Sequence, residues 1–163
     1  MKIIVAVDKN WGIGYQNKLL ISIPEDMRFF RNKTMNKIVI MGKNTLDTFP
    51  SGNALKNRVN IVITRNENFV RTDAIVVHSI EEAMEEANKY KAEDIYVIGG
   101  ASIYKQLLPF CDTAFVTKIE YAYQADTFFP DLDEDEDWNI TEESEKFVYC
   151  DTEYAFYKYE RKK

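Results

Sequence analysis

The chain has 163 residues, a length that suits one domain built around one hydrophobic core. Its 45% hydrophobic and 13% aromatic content excludes an intrinsically disordered chain. The net charge is −6, of which residues 133–137 supply −5, so no broad basic surface exists to attract nucleic acid or a membrane. We therefore expect one domain, residues 1–163, that binds neither nucleic acid nor a membrane.

Short apolar runs alternate with helical patterns through the first two thirds of the chain. The runs predict strands at residues 3–7, 38–41, 59–63, 74–77 and 95–98. The helical patterns predict helices over residues 24–33, 80–90 and 101–108. Continuous apolar strands are typical of burial on both faces. Repeated strand–helix–strand units favour a largely parallel sheet that is covered by helices through right-handed connections.

The last third of the chain predicts strands without helices between them. Residues 114–119, 147–150 and 154–159 follow closely on one another, which favours an antiparallel hairpin at the sheet edge. The acidic segment, residues 131–137, predicts a solvated loop. Ser79 and Glu82 predict a capping box for the second helix, and we expect Ser22 and Glu25 to serve the start of the first.

The lack of a recognisable targeting signal and the spacing of the cysteines predict a cytoplasmic protein. The apolar run at residues 3–7 ends at Asp8 and is too short for a signal-peptide core or a membrane span. Cys111 and Cys150 are 39 positions apart, with no Cys-x-x-Cys spacing and no histidine nearby in sequence. This favours two small core residues in a reducing compartment over a zinc site or a disulfide.

Five of the six glycines follow predicted strands: Gly12, Gly14, Gly42, Gly99 and Gly100. Ligands of an open parallel sheet bind at the carboxyl ends of strands, where glycine lets backbone N–H groups approach a phosphate. Segments 41–45 and 98–104 each add a hydroxyl there. Either segment alone is equally compatible with a tight turn, but the pair favours a nucleotide. The spacing matches neither a Rossmann glycine fingerprint nor a P-loop.

Two cations lie just past strand ends. Lys43 and Arg65, beside Thr45 and Thr64, are placed to hold an extra phosphate such as the ribose phosphate of NADP. Each cation alone is more typical of a solvated surface group. His78 is the only histidine and has no neighbouring nucleophile pattern, so we expect a surface residue at a strand end rather than a catalytic base.

Asp26 lies in the first turn of a predicted helix whose Met27 and Phe30 point to an apolar pocket. An acid at this position commonly stabilises the helix dipole. Its spacing nevertheless places it with Phe29 and Phe30, where a carboxylate is costly unless a ligand or a hydroxyl pairs with it. Asp26 is therefore a candidate to bind a protonated or amidine-like heterocycle, which offers two donors to its two oxygens.

Taken together, these residues resemble the dihydrofolate reductase family almost from end to end. The matching segments are IVAVD at 4–8, GIG at 12–14, IPEDM at 23–27, IMGKNT at 40–45, Arg58, IGGASIY at 98–104, DTFFP at 126–130 and the strand at 154–161. The resemblance implies an α/β fold with a central eight-stranded, mostly parallel mixed sheet, an antiparallel C-terminal strand and about four flanking helices. It also implies a cis peptide between Gly99 and Gly100.

The implied activity is NADPH-dependent reduction of 7,8-dihydrofolate to 5,6,7,8-tetrahydrofolate by hydride transfer. This reaction supports one-carbon metabolism and the synthesis of thymidylate, purines and amino acids. The implied cofactor is NADPH, and no metal is implied. Dihydrofolate and antifolate inhibitors are the implied small-molecule ligands of a cytoplasmic monomer.

The resemblance also implies roles for individual residues. Asp26, Thr117 and Leu19 are the implied catalytic residues: Asp26 pairs with the pterin, Thr117 supports Asp26, and Leu19 of the mobile loop 14–20 shields the reacting bond. Arg58 would bind the glutamate-tail carboxylate. The implied substrate-binding residues are Ile4, Val5, Asp26, Met27, Phe30, Phe49, Leu55, Arg58, Ile98 and Thr117. The implied cofactor-binding residues are Ala6, Ile13, Gly14, Gly42, Lys43, Asn44, Thr45, Thr64, Arg65, Ile98, Gly99, Gly100, Ala101, Ser102, Ile103 and Tyr104.

The sequence departs from the family pattern in three places. Ile21 stands where the family usually has a tryptophan that helps to position an ordered water near the acid. We expect this difference to affect the rate of the reaction and not its chemical nature. Lys43 replaces a frequent arginine, which predicts weaker selection of NADPH over NADH. Ala125 precedes Asp126 where glycine is often seen, a minor change in loop mobility.

Two alternatives stay open at this point. A different pterin or pyrimidine reductase of the same fold is favoured if Arg58 does not face a carboxylate and if folate fails where smaller substrates succeed. A non-catalytic NADP(H)-binding module is motivated by the missing tryptophan.

Overall fold

Eleven strands and four helices follow one another along residues 1–163 in a computed structural model. The strands are Lys2–Val7 (β1), Gly12–Gly14 (β2), Ile38–Gly42 (β3), Val59–Ile63 (β4), Ile75–Val77 (β5), Ile95–Gly99 (β6), Thr113–Ile119 (β7), Thr127–Phe128 (β8), Trp138–Glu143 (β9), Phe147–Tyr149 (β10) and Thr152–Arg161 (β11). The helices are Pro24–Thr34 (α1), Lys43–Asp47 (α2), Ile80–Ala87 (α3) and Ala101–Leu107 (α4). None of the helices has the length and apolar character needed to cross a membrane.

The main sheet has the strand order β10-β11-β7-β1-β6-β3-β4-β5. Strands β7, β1, β6, β3, β4 and β5 are parallel, and β11 is antiparallel to β7. The outer edge of β11 is shared by two segments, since β10 pairs with Thr152–Tyr154 and β9 with Tyr157–Arg161. The predicted eight-stranded mixed sheet with an antiparallel C-terminal strand is therefore confirmed, with its last position divided between β9 and β10.

Side-chain alternation along the buried strands builds a core on each face of the sheet. In β1, Ile3 and Val5 belong to the larger core, whereas Ile4 belongs to the smaller one on the opposite face. Helices α3 and α4 cover the larger core, for example through Leu107. Helices α1 and α2 cover the smaller core, to which Leu46 belongs. Burial on both faces explains why most positions of these strands are apolar.

Sequence periodicity found eight of the eleven strands and three of the four helices. All eight predicted strands and three predicted helices exist, although α3 ends at Ala87 and α4 gives way to a 3₁₀ turn at Leu108–Phe110. Strands β2, β8 and β9 and helix α2 were not predicted. The physical reason is that α2 has five residues, β2 and β8 have three and two, and β9 has only Trp138 buried.

Two helix starts differ from one another. At α3 the Ser79 hydroxyl accepts a hydrogen bond from the Glu82 N–H at 3.0 Å, so the predicted cap is confirmed. The Glu82 carboxylate accepts from the N–H of His78 at 2.8 Å. At α1 the cap residue is Ile23 without any side-chain bond, so the Ser22 cap is wrong. Glu25 instead pairs with Arg28 at 3.1 Å.

Two further expectations need correction. Cys111 is buried as predicted, but Cys150 is exposed because it begins the turn between β10 and β11, where its φ is 49°. The acidic segment is not simply solvated. Leu132 is buried, and the Asp133 carboxylate accepts from the Tyr159 hydroxyl at 2.7 Å and from the Lys118 ammonium at 2.5 Å. The loop is thereby anchored to β7 and β11.

Candidate active site

Two cavities open where the parallel strands β1, β6, β3, β4 and β5 end at one edge of the sheet. The larger has a volume of about 750 Å³. The smaller, of about 150 Å³, is apolar, with 14 hydrophobic residues among the 19 that line it. The cavities share the walls formed by Val5, Ala6, Ile13, Leu19, Thr45, Thr48, Ile98 and Tyr104. Ligands in the two cavities would therefore touch.

The larger cavity contains the paired-glycine turn. Gly99 has φ = 126°, a conformation that residues with a side chain rarely adopt, and its peptide to Gly100 is cis, as the resemblance implies. A Cβ on Gly99 would lie 3.4 Å from the Thr45 hydroxyl oxygen and 3.5 Å from the Tyr104 ring. Every residue implied for the cofactor lines this cavity.

The residues of the larger cavity fit a phosphate-bearing dinucleotide. Helices α2 and α4 begin there, after Gly42 and Gly100, and neither start is capped by a side chain. Their first-turn N–H groups therefore have no partner within the helix and remain for an anion. Lys43 and Arg65 add positive charge to the same cavity.

The smaller cavity contains Asp26 among apolar side chains. Burial raises the pKa of the Asp26 carboxyl, and the hydrogen bond from Thr117 opposes part of that rise. The Thr117 hydroxyl on β7 donates to Asp26 Oδ1 at 2.6 Å. Thr117 is buried and does not line the cavity itself, but it contacts Asp26, which does. The other implied pocket residues on its wall are Ile4, Val5, Met27, Phe30, Phe49 and Ile98.

Leu55 and Arg58 line neither cavity. Leu55 packs against the smaller core. Arg58 donates to the Thr34 hydroxyl at 3.1 Å and to the Lys56 carbonyl at 2.9 Å. Thr34 lies two turns beyond Asp26 on the same face of α1, about 12 Å away by the helical rise. Arg58 thus lies outside the cavity, at the far end of the helix that carries Asp26.

Comparisons with known proteins point to one family. The family model described as "Dihydrofolate reductase" matches residues 1–161. The dihydrofolate reductase of Staphylococcus haemolyticus is 35% identical over 166 residues, covering 99% of this chain and 95% of the relative. That of Bacillus subtilis (strain 168) is 33% identical, covering 98% and 93%.

The chain belongs to the dihydrofolate reductase family. Its structure is similar to that of a dihydrofolate reductase from Enterococcus faecalis complexed with NADP(H) and RAB-propyl, with a TM-score of 0.85 and 31% identity over 99% of this chain and 96% of that one. The family is one of NADP-dependent oxidoreductases, and the activity is NADPH-dependent reduction of dihydrofolate to tetrahydrofolate.

The mobile loop implied by dihydrofolate reductase membership is held at its base. Asp126 binds it twice, since its N–H donates to the Gly14 carbonyl and its carboxylate accepts from the Gln16 N–H, both at 2.9 Å. Leu19, further along the loop, is 65% exposed and lines both cavities. The loop therefore lies over the junction of the two cavities.

The departures from the dihydrofolate reductase pattern have clear structural settings. Ile21 lines the smaller cavity and packs against the cluster of Ile23, Ile119 and Tyr154, so an aliphatic side chain fills the position of the usual tryptophan. The Lys43 ammonium is bonded to the Asp47 carboxylate at 2.9 Å. Ala125 lies close to Gly12, since a Cβ atom added to Gly12 would be 2.7 Å from the Cβ atom of Ala125.

Several cavity residues were missed from the sequence. His78 and Ser79 line the larger cavity, and Asp8 lines the smaller one beside Gly12, which the sequence did indicate as a strand-end glycine. Asp8 is buried, and its carboxylate accepts the N–H groups of Asn10, Gly12 and Tyr123 at 2.7–2.9 Å. Asp8 directly follows β1, and His78 directly follows β5. Both could have been found from the sequence, because ligands bind at the carboxyl ends of parallel strands, the argument that selected Gly42.

Proposed function

We propose that the larger cavity binds NADPH and that the smaller cavity binds the pterin ring of dihydrofolate, with the reacting rings at the shared walls. The bound NADPH supplies the hydride. The observation that carries this assignment is the Asp26 carboxyl on the apolar wall of the smaller cavity, because the other acid there, Asp8, is already bonded to three backbone N–H groups. The Thr117 hydroxyl donates to Oδ1 of Asp26, so Oδ2 of Asp26 remains free to accept a hydrogen bond from a donor on the substrate.

Asp26 is proposed to orient the pterin and to favour its protonated form. Its raised pKa keeps more of the carboxyl protonated near neutral pH than an exposed aspartate would be. A carboxyl that can hold a proton beside the ring suits a reaction in which an imine nitrogen must gain one. Thr117 fixes the direction of the carboxyl, and apolar neighbours such as Phe30 keep water away from it.

Arg58 is proposed to bind the glutamate-tail carboxylate. It donates to the hydroxyl of Thr34, which lies about 12 Å beyond Asp26 along α1, so a ligand bound at Asp26 would extend along this helix to reach Arg58. Its bonds to Thr34 and Lys56 fix the guanidinium while leaving other N–H donors for a carboxylate. The nearby Arg31 lowers the Arg58 pKa further, after burial as the main cause, and adds positive charge.

Leu19 is proposed to shield the reacting rings from water. It is the apolar side chain of the loop at the junction of the two cavities. In the present conformation Leu19 is largely exposed, so apolar surface is still available for burial against bound ligands.

We also propose that the chain acts as one domain in a cytoplasmic monomer and binds antifolate inhibitors. Both cavities are lined by residues of one chain, so a second copy is not needed to complete the site. Cys111 and Cys150 are free thiols, the state that a reducing compartment maintains. Inhibitors with an amidine-like pair of donors match the two oxygens of Asp26. Light scattering coupled to size-exclusion chromatography tests the monomer, with 19.1 kDa expected.

The test of the assignment is NADPH oxidation by the folded protein with two substrates, dihydrofolate and a dihydropterin without the glutamate tail. We expect loss of NADPH absorbance with both, and a much lower KM for dihydrofolate. Turnover of the tail-less pterin alone would instead support the other pterin reductase. Binding of NADPH without turnover of either would support a non-catalytic module.

A further inference from the structure

Asp8 holds both main-chain groups of Gly12. The Oδ1 atom of Asp8 accepts the Gly12 N–H at 2.7 Å, and the Asp8 N–H donates to the Gly12 carbonyl at 2.9 Å. The Asn10 N–H, at 2.9 Å, is a second donor to Oδ1. Gly12 is the first residue of β2, so Asp8, which directly follows β1, fixes the place where β2 begins.

The other carboxylate oxygen of Asp8 bonds to a distant part of the chain. Oδ2 accepts the N–H of Tyr123 at 2.9 Å, across 115 positions of sequence. Tyr123 lies between β7 and β8, in the segment that also contains Asp126. Asp126 holds the base of the mobile loop through its bonds to Gly14 and Gln16. Asp8 therefore joins the start of β2 to the segment that anchors the loop.

Gly12 is also confined on the side opposite to its hydrogen bonds. A Cβ atom added to Gly12 would lie 2.7 Å from the Cβ atom of Ala125 and 3.0 Å from Asp8 Oδ1. Ala125 belongs to the same segment as Tyr123, and it stands where the family often has glycine. The start of β2 is thus held by hydrogen bonds to Asp8 and by packing against Ala125.

The residue after Gly12 lies where the two cavities meet. Ile13 lines both cavities and forms part of their shared walls. A displacement of β2 would move Ile13 relative to ligands on either side of it. Hydride transfer is sensitive to such a change, because a misplacement of about 1 Å costs up to about 10²-fold in rate.

We propose that Asp8 is a positioning residue for hydride transfer. By holding Gly12, the buried Asp8 carboxylate sets the place of Ile13 beside the two reacting rings. Through Tyr123 it keeps Ile13 in a fixed relation to the segment that anchors the mobile loop. Asp8 acts through the main chain and not by contact with the reacting atoms. The inference rests on the proposed function, because it takes the shared walls as the place where nicotinamide and pterin meet.

The test is the single-turnover rate constant of hydride transfer, measured as loss of NADPH absorbance with the enzyme in excess over dihydrofolate. A smaller folded fraction lowers the amplitude of this reaction and leaves its rate constant unchanged. A lower rate constant with NADPH that carries deuterium at the transferred position identifies the step as hydride transfer. The Kd of NADPH is measured for each variant by calorimetric titration.

Asp8→Asn is the main variant, because asparagine has nearly the same shape. Its single amide oxygen can keep the bond from Gly12, but the amide nitrogen is a donor and cannot accept the Tyr123 N–H. We expect the rate constant to fall about 10–100-fold, with a much smaller change in the Kd of NADPH. Asp133→Asn is the matched control, since Asp133 also loses bonds, to Tyr159 and Lys118, but lies outside both cavities. Its rate constant should equal that of the unmutated chain.

Gly12→Ala tests the same arrangement without a change at Asp8. The added Cβ would press against Ala125, so this variant should also slow hydride transfer. The double variant Gly12→Ala with Ala125→Gly lacks that contact and should recover part of the rate constant. This comparison decides the proposal if Asp8→Asn does not fold.

The outcomes separate this inference from the proposed function. An unchanged rate constant in folded Asp8→Asn, or an equal loss in Asp133→Asn, would overturn the role of Asp8 while leaving the proposed function supported. The same would follow if Ala125→Gly gave no recovery in the Gly12→Ala chain. Absence of hydride transfer in the folded, unmutated protein would overturn both.

Discussion

The hydroxyl of Thr117 donates to Asp26 Oδ1 at 2.6 Å, joining strand β7, which lies between β11 and β1, to the first turn of α1 across 91 positions of sequence. The bond is made beneath the smaller cavity, where Thr117 is 2% exposed. It fixes one carboxyl oxygen in place and lowers a pKa that burial raises. The orientation and the protonation of Asp26 are thus set by the same two neighbours: the apolar wall and one hydroxyl.

Asp26→Asn should reduce turnover of dihydrofolate by about 10²–10⁴-fold, because the amide cannot supply or hold the proton in the same way. The Kd of NADPH should stay unchanged, since Asp26 does not line the larger cavity. Steady-state rates and a binding titration measure the two effects. Glu25→Gln is the matched control, because this neighbouring acid is exposed and pairs with Arg28. Undiminished turnover in Asp26→Asn would remove Asp26 from the mechanism.

Relative to the unmutated chain, the same Asp26→Asn variant should become more stable as the pH rises. The pKa of Asp26 is raised in the folded state, so the unfolded chain loses this proton first as the pH rises. Between the ordinary aspartate pKa and the raised pKa, the unmutated folded state therefore loses stability. Asparagine has no such titration. The Tm of Asp26→Asn relative to the unmutated chain should therefore climb between acidic and neutral pH and then level off. A constant difference in Tm would contradict burial as the cause.

Thr117→Val should move the pH limit of turnover to higher pH. Loss of the hydroxyl removes the hydrogen bond that lowers the Asp26 pKa, so the carboxyl keeps its proton to higher pH. The cost to the free energy of unfolding should be about 1 kcal/mol. The pH profile of kcat/KM measures the shift. Thr113→Val is the control on the same strand, since the Thr113 hydroxyl bonds to Asp112; an equal shift in both variants would contradict the role of Thr117.

Gly99→Ala should weaken NADPH binding at least tenfold, because the positive φ of 126° is strained for alanine and the turn lies in the cofactor cavity. The strain should also cost about 1–3 kcal/mol of stability. Gly52→Ala provides the control, since Gly52 has φ = 64° and open space around a Cβ, outside both cavities. Calorimetric titration with NADPH should show a loss of affinity only for Gly99→Ala.

Arg58→Leu should raise the KM for dihydrofolate roughly 10–100-fold, the effect of losing a charge-assisted pair of hydrogen bonds. The KM for a dihydropterin without the glutamate tail should not change. Arg58→Lys should recover only part of the loss, because an ammonium lacks the planar fork of donors. Comparison of the two substrates separates lost tail binding from general damage; an equal rise in both KM values would contradict the assignment.

Local sequence patterns determined most of the fold. A strand such as β4, predicted to the residue, needs only a run of mostly apolar side chains, and the start of α3 is indicated by Ser79 and Glu82. These signals act within one or two turns of the chain, so a window of sequence contains them. The strand-end glycines also gave the position of the larger cavity, because parallel strands bring their carboxyl ends to one edge.

Only the tertiary structure decided which distant residues meet. The sequence contains Thr117 and Asp26 but not the chain path that brings them within hydrogen-bonding distance. It left His78 as a surface residue, whereas the pairing of β4 with β5 places it against Thr64 in the larger cavity. Local propensity depends on neighbours in sequence, but a binding site depends on strand order and register, which only the whole packed sheet defines.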